Sequence, residues 1–388
     1  MDSTLMANKV LNLDKTGWKL TKVGDLAKDI SKRVDNPGES EYDRFVGLGN
    51  FVSGDIKIKT WETTENLASS AKAFKSGDIL FARRNAYLRR ASLVDFDGCC
   101  SGDAFVLREN HDKIAPGFLA FLMNSNALWD YANSNAAGTM SKRVKWRDLA
   151  EYEFLLPPKD QQEHLAKLLW AMDDVIESQN HLIENLLKNL LTNEKKIFSN
   201  KTYCKLNNVI LKTFSGGTPN TKKKEFYSNG TVPWLTTKIL DDDYINFGEK
   251  FITKEAIINS AAKLLPKGNI IAGTRVGVGK FAINLCDISF SQDVTGLLID
   301  HSKVNVNFLV YQLNSVKFKR NIKPFLRGTT IKGILKEDLL NMKIYLPQIE
   351  EQNKIENLLK NIKRSIDSSR SKIIDSQSLQ KSLINQVF

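Results

Sequence analysis

The feature that most constrains this chain is that it repeats itself. Ser101–Phe198 aligns with Ser291–Phe388 at a constant offset of 190 residues, without a gap, and about 22 positions are identical. Ser101/Ser291, Asp103/Asp293, Phe118/Phe308 and Leu119/Leu309 are among them. So are Asn124-Ser125/Asn314-Ser315, Gly138-Thr139/Gly328-Thr329, Asp148-Leu149/Asp338-Leu339, Leu156-Pro157/Leu346-Pro347 and Gln162/Gln352. Upstream the match needs small gaps: Lys19-Leu20 answers Lys205-Leu206, and Lys75–Leu80 answers Lys267–Ile271. A solenoid repeat runs to roughly 20–50 residues. The unit here is much longer, a whole domain with an appendage copied in tandem over about residues 1–198 and 199–388.

Each unit has a mixed front and a helical back. The fronts hold short apolar runs between Gly and charged turns: Asp78–Phe81, Ala91–Val94, Ala104–Leu107, Ile270–Ala272 and Thr295–Ile299. Runs of this length and bounding predict buried strands. Helices are predicted near Pro116–Tyr131 and Asn305–Ile322. The result is an α+β front of about 150 residues.

The backs follow Pro157-Pro158 and Pro347, which stop what precedes them. Asp160 reads as an N-cap with Glu163 three residues on. From there to Phe198, and from Glu350 to Phe388, there is no Gly or Pro. Alternating 4–3 spacing picks Leu165, Leu169, Met172, Ile176, Gln179, Ile183, Leu186, Leu190, Asn193 and Ile197, of which eight are apolar. In the second back it picks Ile355, Leu359, Ile362, Ile366, Ser369, Ile373, Ser376, Gln380, Leu383 and Val387, of which seven are apolar. A seam this long predicts coiled-coil pairing, each helix with the other. A helix of ~39 residues spans ~58 Å, more than the ~34 Å turn of DNA, so the pair suits a spacer between two DNA-contacting globules.

The formal net charge is +12, which attracts phosphate backbones or anionic membrane. The charge is clustered. Arg83, Arg84, Arg89 and Arg90 flank Tyr87 within eight residues, after a predicted strand and with no acid among them. Such a run repels itself unless an anion comes. Lys142, Arg143, Lys145 and Arg147 surround Trp146 after the Gly138-Thr139 turn. The second unit offers Arg275, Lys317, Lys319, Arg320, Lys323 and Arg327, with Lys222-Lys223-Lys224 in a loop. Arginine can grip two guanine acceptors or clamp a phosphate.

Familiar catalytic and metal motifs do not fit. Gly279-Lys280 fails as a phosphate loop, with Thr274 at the first Gly position and Phe281 after the lysine. Gly47-Leu48-Gly49 has Val52 where a dinucleotide fingerprint needs Gly. Asp241-Asp242-Asp243 lacks calcium-loop spacing, because Ile245 and Asn246 hold the ligand and glycine places, and reads as a solvated turn. Cys99, Cys100, Cys204 and Cys286 form no C-x-x-C pair, so reduced thiols fit better than zinc. Asp2, Asn8 and Lys9 interrupt any signal-like apolar run, and no apolar stretch reaches the ~20 residues of a membrane span. The chain reads as cytoplasmic, with no membrane partner.

The two Leu-Pro-x-x-x-x-Gln segments opening the long helices resemble those of the specificity subunit of type I restriction-modification systems. So do Gly77–Arg84, Ser101-Gly102-Asp103, Gly138-Thr139-Met140 and Gly328-Thr329-Thr330. The resemblance covers nearly the whole chain, its order and doubling being more specific than any one motif. The second unit departs with Asn269 for Asp78, Gln292 for Gly102 and no counterpart of Arg83.

This resemblance implies an α+β chain of two similar α/β target-recognition domains, 1–158 and 201–347, separated by two long helices, 159–200 and 348–388, forming an antiparallel coiled coil. It implies a non-catalytic subunit that reads a bipartite site on double-stranded DNA. DNA contacts are expected from Arg83, Arg84, Tyr87, Arg89, Arg90, Ser101, Asp103, Thr139, Ser141, Lys142, Arg143 and Lys145. In the second unit they are expected from Thr274, Arg275, Lys280, Ser291, Gln292, Arg327, Thr329, Thr330 and Lys332. Two methyltransferase subunits would dock near Gln161, Gln162, Glu351 and Gln352, with restriction and translocase subunits in the full complex. S-adenosylmethionine, ATP and Mg2+ are expected on those partners, with no cofactor or metal in this chain. Left open are a related type II-like recognition subunit, an enzyme with an unrecognised site, and a coiled-coil scaffold that does not touch DNA.

Overall fold

A computed structural model describes residues 13–199 and 203–388. The segment holding Asp2, Asn8 and Lys9 lies outside the described residues, as does the predicted domain boundary at 200–202. The chain divides into two compact units, Met1–His181 with Arg370–Phe388, and Leu182–Ser369. Both divisions fall inside the long helices Lys159–Phe198 and Ile349–Val387. Each helix therefore starts in one unit and ends in the other.

In unit 1 an antiparallel sheet runs in the order Ala27–Asp29, Ala104–Glu109, Ile79–Ala82, Ala91–Leu93. The predicted apolar runs are buried strands because both sheet faces are covered. Ile79, Phe81, Phe105 and Leu107 point into one cluster, and Leu80, Ala82, Ala104 and Val106 into another. Strand geometry sends alternate side chains to opposite faces, so a run with no polar member fits a sheet packed on both sides. A second, five-stranded sheet contains Gly98–Cys100, paired in parallel with Arg44–Val46.

Unit 2 repeats this plan. Its five-stranded sheet places Val294–Ile299 between Ile210–Ser215 and Ile270–Gly273, followed by Phe281–Asn284 and Tyr244–Ile245. Gly273 pairs with Val294 as Ala82 pairs with Ala104. Ile288–Phe290 lies parallel to Val232–Leu235 in a separate sheet.

The helix expected near Pro116–Tyr131 is two helices, Leu119–Leu122 and Asn126–Ser134. That near Asn305–Ile322 is Val306–Asn314 and Val316–Ile322. The repeated Asn-Ser pair makes the break. Ser125 Oγ accepts from Leu128 N–H and Ser315 Oγ from Phe318 N–H, each capping the second helix. The asparagine beside each ties the corner to the sheet, Asn124 Nδ2 donating to Ala91 O at 3.0 Å and Asn314 Nδ2 to Phe281 O at 2.8 Å.

The long helices match the predicted seam. Every one of the twenty seam positions is buried or half-buried, whereas Leu168, Val175, Leu187 and Leu191 beside it are exposed. In unit 1 the early part of the first helix meets the end of the second, Gln380 Nε2 donating to Leu169 O at 3.2 Å. In unit 2 Leu190, Ile197 and Phe198 share a core with Ile355 and Leu359. Rising numbers on one helix thus meet falling numbers on the other, an antiparallel pairing. Phe388 packs on Phe118 at 5.1 Å in unit 1, and Phe198 on Phe308 at 6.1 Å in unit 2. These are the same contact 190 residues apart, so each unit is completed by the helix end of the other repeat.

Two local expectations change, at Asp160 and Asp243. Asp160 lies inside the first helical turn, since the helix begins at Lys159; there it complements the helix dipole without capping. The glycine run at 273–280 is a hairpin turn, Gly277 and Gly279 taking positive φ that a side chain resists. Asp243 is not a solvated turn residue: it accepts from Asn314 Nδ2 at 2.9 Å and pairs with Lys363 on the second long helix.

The candidate nucleic-acid interface

In unit 1, the three segments singled out from sequence meet at one end of the four-stranded sheet. Arg83 N–H donates to Asp103 O at 3.0 Å, Val144 N–H to Arg83 O at 2.9 Å and Asn85 N–H to Lys142 O at 2.9 Å. From that junction projects a five-residue tip, 138–142, closed by reciprocal hydrogen bonds between Ala137 and Arg143. Gly138 opens it at φ +127°, where Ser141 O would crowd a Cβ at 3.1 Å. Thr139, Met140 and Lys142 are exposed, Met140 at 98%.

Side chains tie this junction together. Arg143 makes two hydrogen bonds to Asp103, at 2.8 and 3.2 Å, while Arg84 lies 3.6 Å from the same carboxylate and reaches Ser141 Oγ at 3.3 Å. The bonds from Arg143 hold the Asp103 carboxyl below its ordinary value, against the opposing effect of partial burial. Ser101 Oγ accepts from Asp103 N–H.

The arginine run is partly offset within the fold, Arg84 lying beside Asp103 and Arg89 beside Asp130. Arg89, at φ +48°, donates to Asn126 and Asp130 at 2.8 and 2.7 Å. Arg90 donates to Leu48 O at 2.8 Å, and burial lowers its pKa from the usual value. These counter-groups come from elsewhere in the fold; among the described residues Arg83 and Arg90 form no ion pair, so the run keeps a positive surplus. Tyr87 remains 68% exposed. Arg83 stacks over Phe105 at 5.5 Å, and Lys145 is exposed.

Unit 2 builds the same junction. Thr274 and Arg275 N–H groups donate to Asp293 O at 3.0 and 3.1 Å, and Ile334 N–H donates to Thr274 O at 2.8 Å. The tip is 328–332, closed by Arg327 and Gly333, with Gly328 at φ +105°. Thr329, Thr330 and Lys332 are exposed. The expectations for Thr274 and Ser291 change: both are buried, Thr274 Oγ1 bonding Thr295 Oγ1 at 3.0 Å, so neither reaches outward. Lys280 pairs with Asp241 and Arg327 with Asp338. Gln292 is exposed and accepts from Thr218 Oγ1 at 2.8 Å.

Met140, Ile331 and Asp293 were not among the named contacts, although all three lie in the segments singled out from sequence. The signal for the first two was a single apolar residue in each Gly-Thr-x-x-Lys tip, third in 138–142 and fourth in 328–332.

The expected docking residues divide. Gln162 and Gln352 are buried. Gln162 Oε1 accepts from Ala115 N–H and Gln352 Oε1 from Asn305 N–H, both at 2.8 Å, and each Nε2 donates at 2.8 Å to the proline carbonyl five residues back. They are internal clamps with both amide ends engaged, and offer a partner nothing. Gln161 and Glu351 are exposed, bonded to Trp18 and Tyr345.

Among the described residues no group of three or more His, Cys, Asp or Glu is placed to hold a metal. The cysteines are free, with burial pushing the Cys99 thiol up to about 11 and Cys100 up to about 12. No helix among the described residues is long and apolar enough to cross a membrane.

The family model described as type I restriction modification DNA specificity domain matches residues 15–188 and again 199–376. The type I restriction enzyme MjaVIII specificity subunit of Methanocaldococcus jannaschii is 23% identical over 415 residues, covering 95% of this chain and 91% of that one. The EcoR124I/EcoR124II specificity subunit of Escherichia coli is 30% identical over 156 residues, 39% of this chain and 38% of its own. Among solved structures, the type I restriction-modification S subunit from M. genitalium superposes with a TM-score of 0.63 at 15% identity, covering 98% and 97% of the two chains. A chain from a study of complex assembly and conformational transition in the type I system gives 0.59 at 21%, covering 96% and 97%. With a duplicated fold, a twice-matched family model and these relatives, the chain belongs to the type I restriction-modification DNA specificity family, as a non-catalytic specificity subunit with two recognition domains.

Proposed function

We propose that each unit reads one half of a bipartite site on double-stranded DNA through its sheet-end junction and projecting tip. The observation that carries this reading is the recurrence, in both units, of an exposed Gly-Thr-x-x-Lys tip standing on a junction that bears an arginine, Arg84 or Arg275. Exposed lysines such as Lys142, Lys145 and Lys332 set phosphate register, a salt-sensitive and sequence-independent contribution. Threonine, tyrosine and arginine side chains at the junction reach base edges.

The long helices set the gap between the half-sites and dock two methyltransferase subunits. Leu168 and Val175 in unit 1, and Leu187 and Leu191 in unit 2, leave apolar surface that the seam does not bury, with Gln161 and Glu351 at the helix starts. Restriction and translocase subunits join through these partners, and S-adenosylmethionine, ATP and Mg2+ bind on them. Any aqueous compartment holding DNA suits such a complex, the cytoplasm first.

Filter binding of bipartite target DNA with methyltransferase present tests this. Specific retention that weakens as salt rises is expected; no retention at low salt would leave a scaffold role. Deleting four residues from one long helix, a rotation of ~40° at 3.6 residues per turn, is expected to alter the gap or abolish binding. An unchanged site would contradict the spacer role.

A further inference from the structure

The two junctions differ where they would face a ligand. In unit 1, Asp103 is closed by Arg143 and Arg84. In unit 2, Gly333 stands where unit 1 has Arg143, so nothing closes Asp293. Among the described residues, neither Asp293 nor the exposed Arg275 makes a side-chain hydrogen bond or ion pair, although their backbones touch at 3.1 Å. Both line an open cavity of about 420 Å3, shared with Arg327, Gly328 and Ile331 of the tip.

We propose that Arg275 and Asp293 form the specificity-determining pair of unit 2, reading a G·C base pair in the major groove. This rests on the DNA-reading role given above and names its chemistry. Arginine donates two hydrogen bonds to guanine O6 and N7, while a carboxylate accepts from cytosine N4. A free guanidinium and a free carboxylate side by side supply both halves of that pattern. A phosphate site would not place a carboxylate in the same cavity, because it repels the phosphate oxygens. In unit 1 the equivalent carboxylate of Asp103 is taken up by Arg143, with Arg84 beside it, so that half-site is read by other groups.

The test uses the intact chain with its methyltransferase subunit, on a randomised DNA library sequenced for methylated sites. Wild type is expected to yield two defined blocks. Arg275→Ala should relax one G·C position in one block by roughly 10- to 100-fold, leaving the other block unchanged. Asp293→Asn should relax the same position less. Arg275→Lys, which keeps the charge but loses the two-pronged fork, should behave like the alanine variant. A uniform loss of affinity across all sequences, rescued by lysine, would mark Arg275 as a phosphate contact and overturn the proposal, as would no change at any position. Wild type without two blocks would instead defeat the DNA-reading role itself.

Discussion

Unit 1 and unit 2 share a sheet order, a broken helix pair, a glutamine clamp and a tip loop, yet one junction is latched and the other open. In unit 1 the tip is tied back to the strand turns by Arg143 and Arg84 on Asp103. In unit 2, glycine replaces the first of these arginines, and Arg327 turns to Asp338. The difference teaches where duplication holds and where it gives way. Residues that build the fold keep the same partner 190 positions on: Asn124 and Asn314, Ser125 and Ser315, Gln162 and Gln352. The exposed end keeps the backbone junction, the tip's Gly, Thr and Lys, and the Arg84/Arg275 and Asp103/Asp293 pairs, and changes others, Arg83 to Thr274 and Arg143 to Gly333, as expected where each copy meets a different ligand surface.

The largest predicted effect concerns the shared framework. Phe198→Ala empties a site only 2% exposed in the core of unit 2 and is expected to cost about 3–5 kcal/mol there. Its counterpart Phe388→Ala, half-buried at the chain end, should cost unit 1 less. Hydrogen exchange read separately in the two units checks this; loss confined to unit 1 after Phe198→Ala would contradict the exchanged helix ends.

Next, Gln162→Leu and Gln352→Leu leave Ala115 and Asn305 N–H groups without their acceptor and should each destabilise by about 1–3 kcal/mol, measured by denaturant unfolding. Unchanged stability with lost methyltransferase binding would restore the docking role.

A smaller effect sharpens the latch. Because Asp103 titrates below its ordinary value of 3.8, its contribution is fully present above about pH 4 and disappears as pH falls through the lowered native value. The stability difference between wild type and Asp103→Asn should therefore be flat above pH 4 and narrow below it. A difference that grows on acidification would mean the ion pair is not the source. Asp293→Asn, with no ion pair to lose, should change stability by no more than about 0.5 kcal/mol. Smallest of all, Met140→Ala and Ile331→Ala at the exposed tips should leave stability within about 0.5 kcal/mol, and a larger loss in thermal unfolding would show that a tip is packed.

The fold was largely legible because its strongest signals are local. The seam is a spacing along one helix, and Ile79–Ala82 or Ile270–Gly273 declares a doubly covered strand by lacking polar members. The site was legible only in outline. The three segments in each unit were found, but Asp103 and Asp130 lie tens of residues from the arginines they neutralise, so the run seemed to await an anion. Gln162 looked like surface on a first helical turn because its partner, Ala115 N–H, is 47 residues away. Thr274 and Ser291 were expected at the interface, whereas each directly follows the end of a buried strand and is itself buried, Thr274 Oγ1 meeting Thr295 Oγ1.

The most direct test of two separate readers on one chain is to map methylated positions in DNA modified by the intact complex, with wild type and with unit-specific substitutions such as Lys142→Ala with Tyr87→Ala, or Arg275→Ala. The expected map is two short defined blocks at a fixed gap, each relaxed only by substitutions in its own unit. A single contiguous block, or one substitution altering both blocks, would contradict the account.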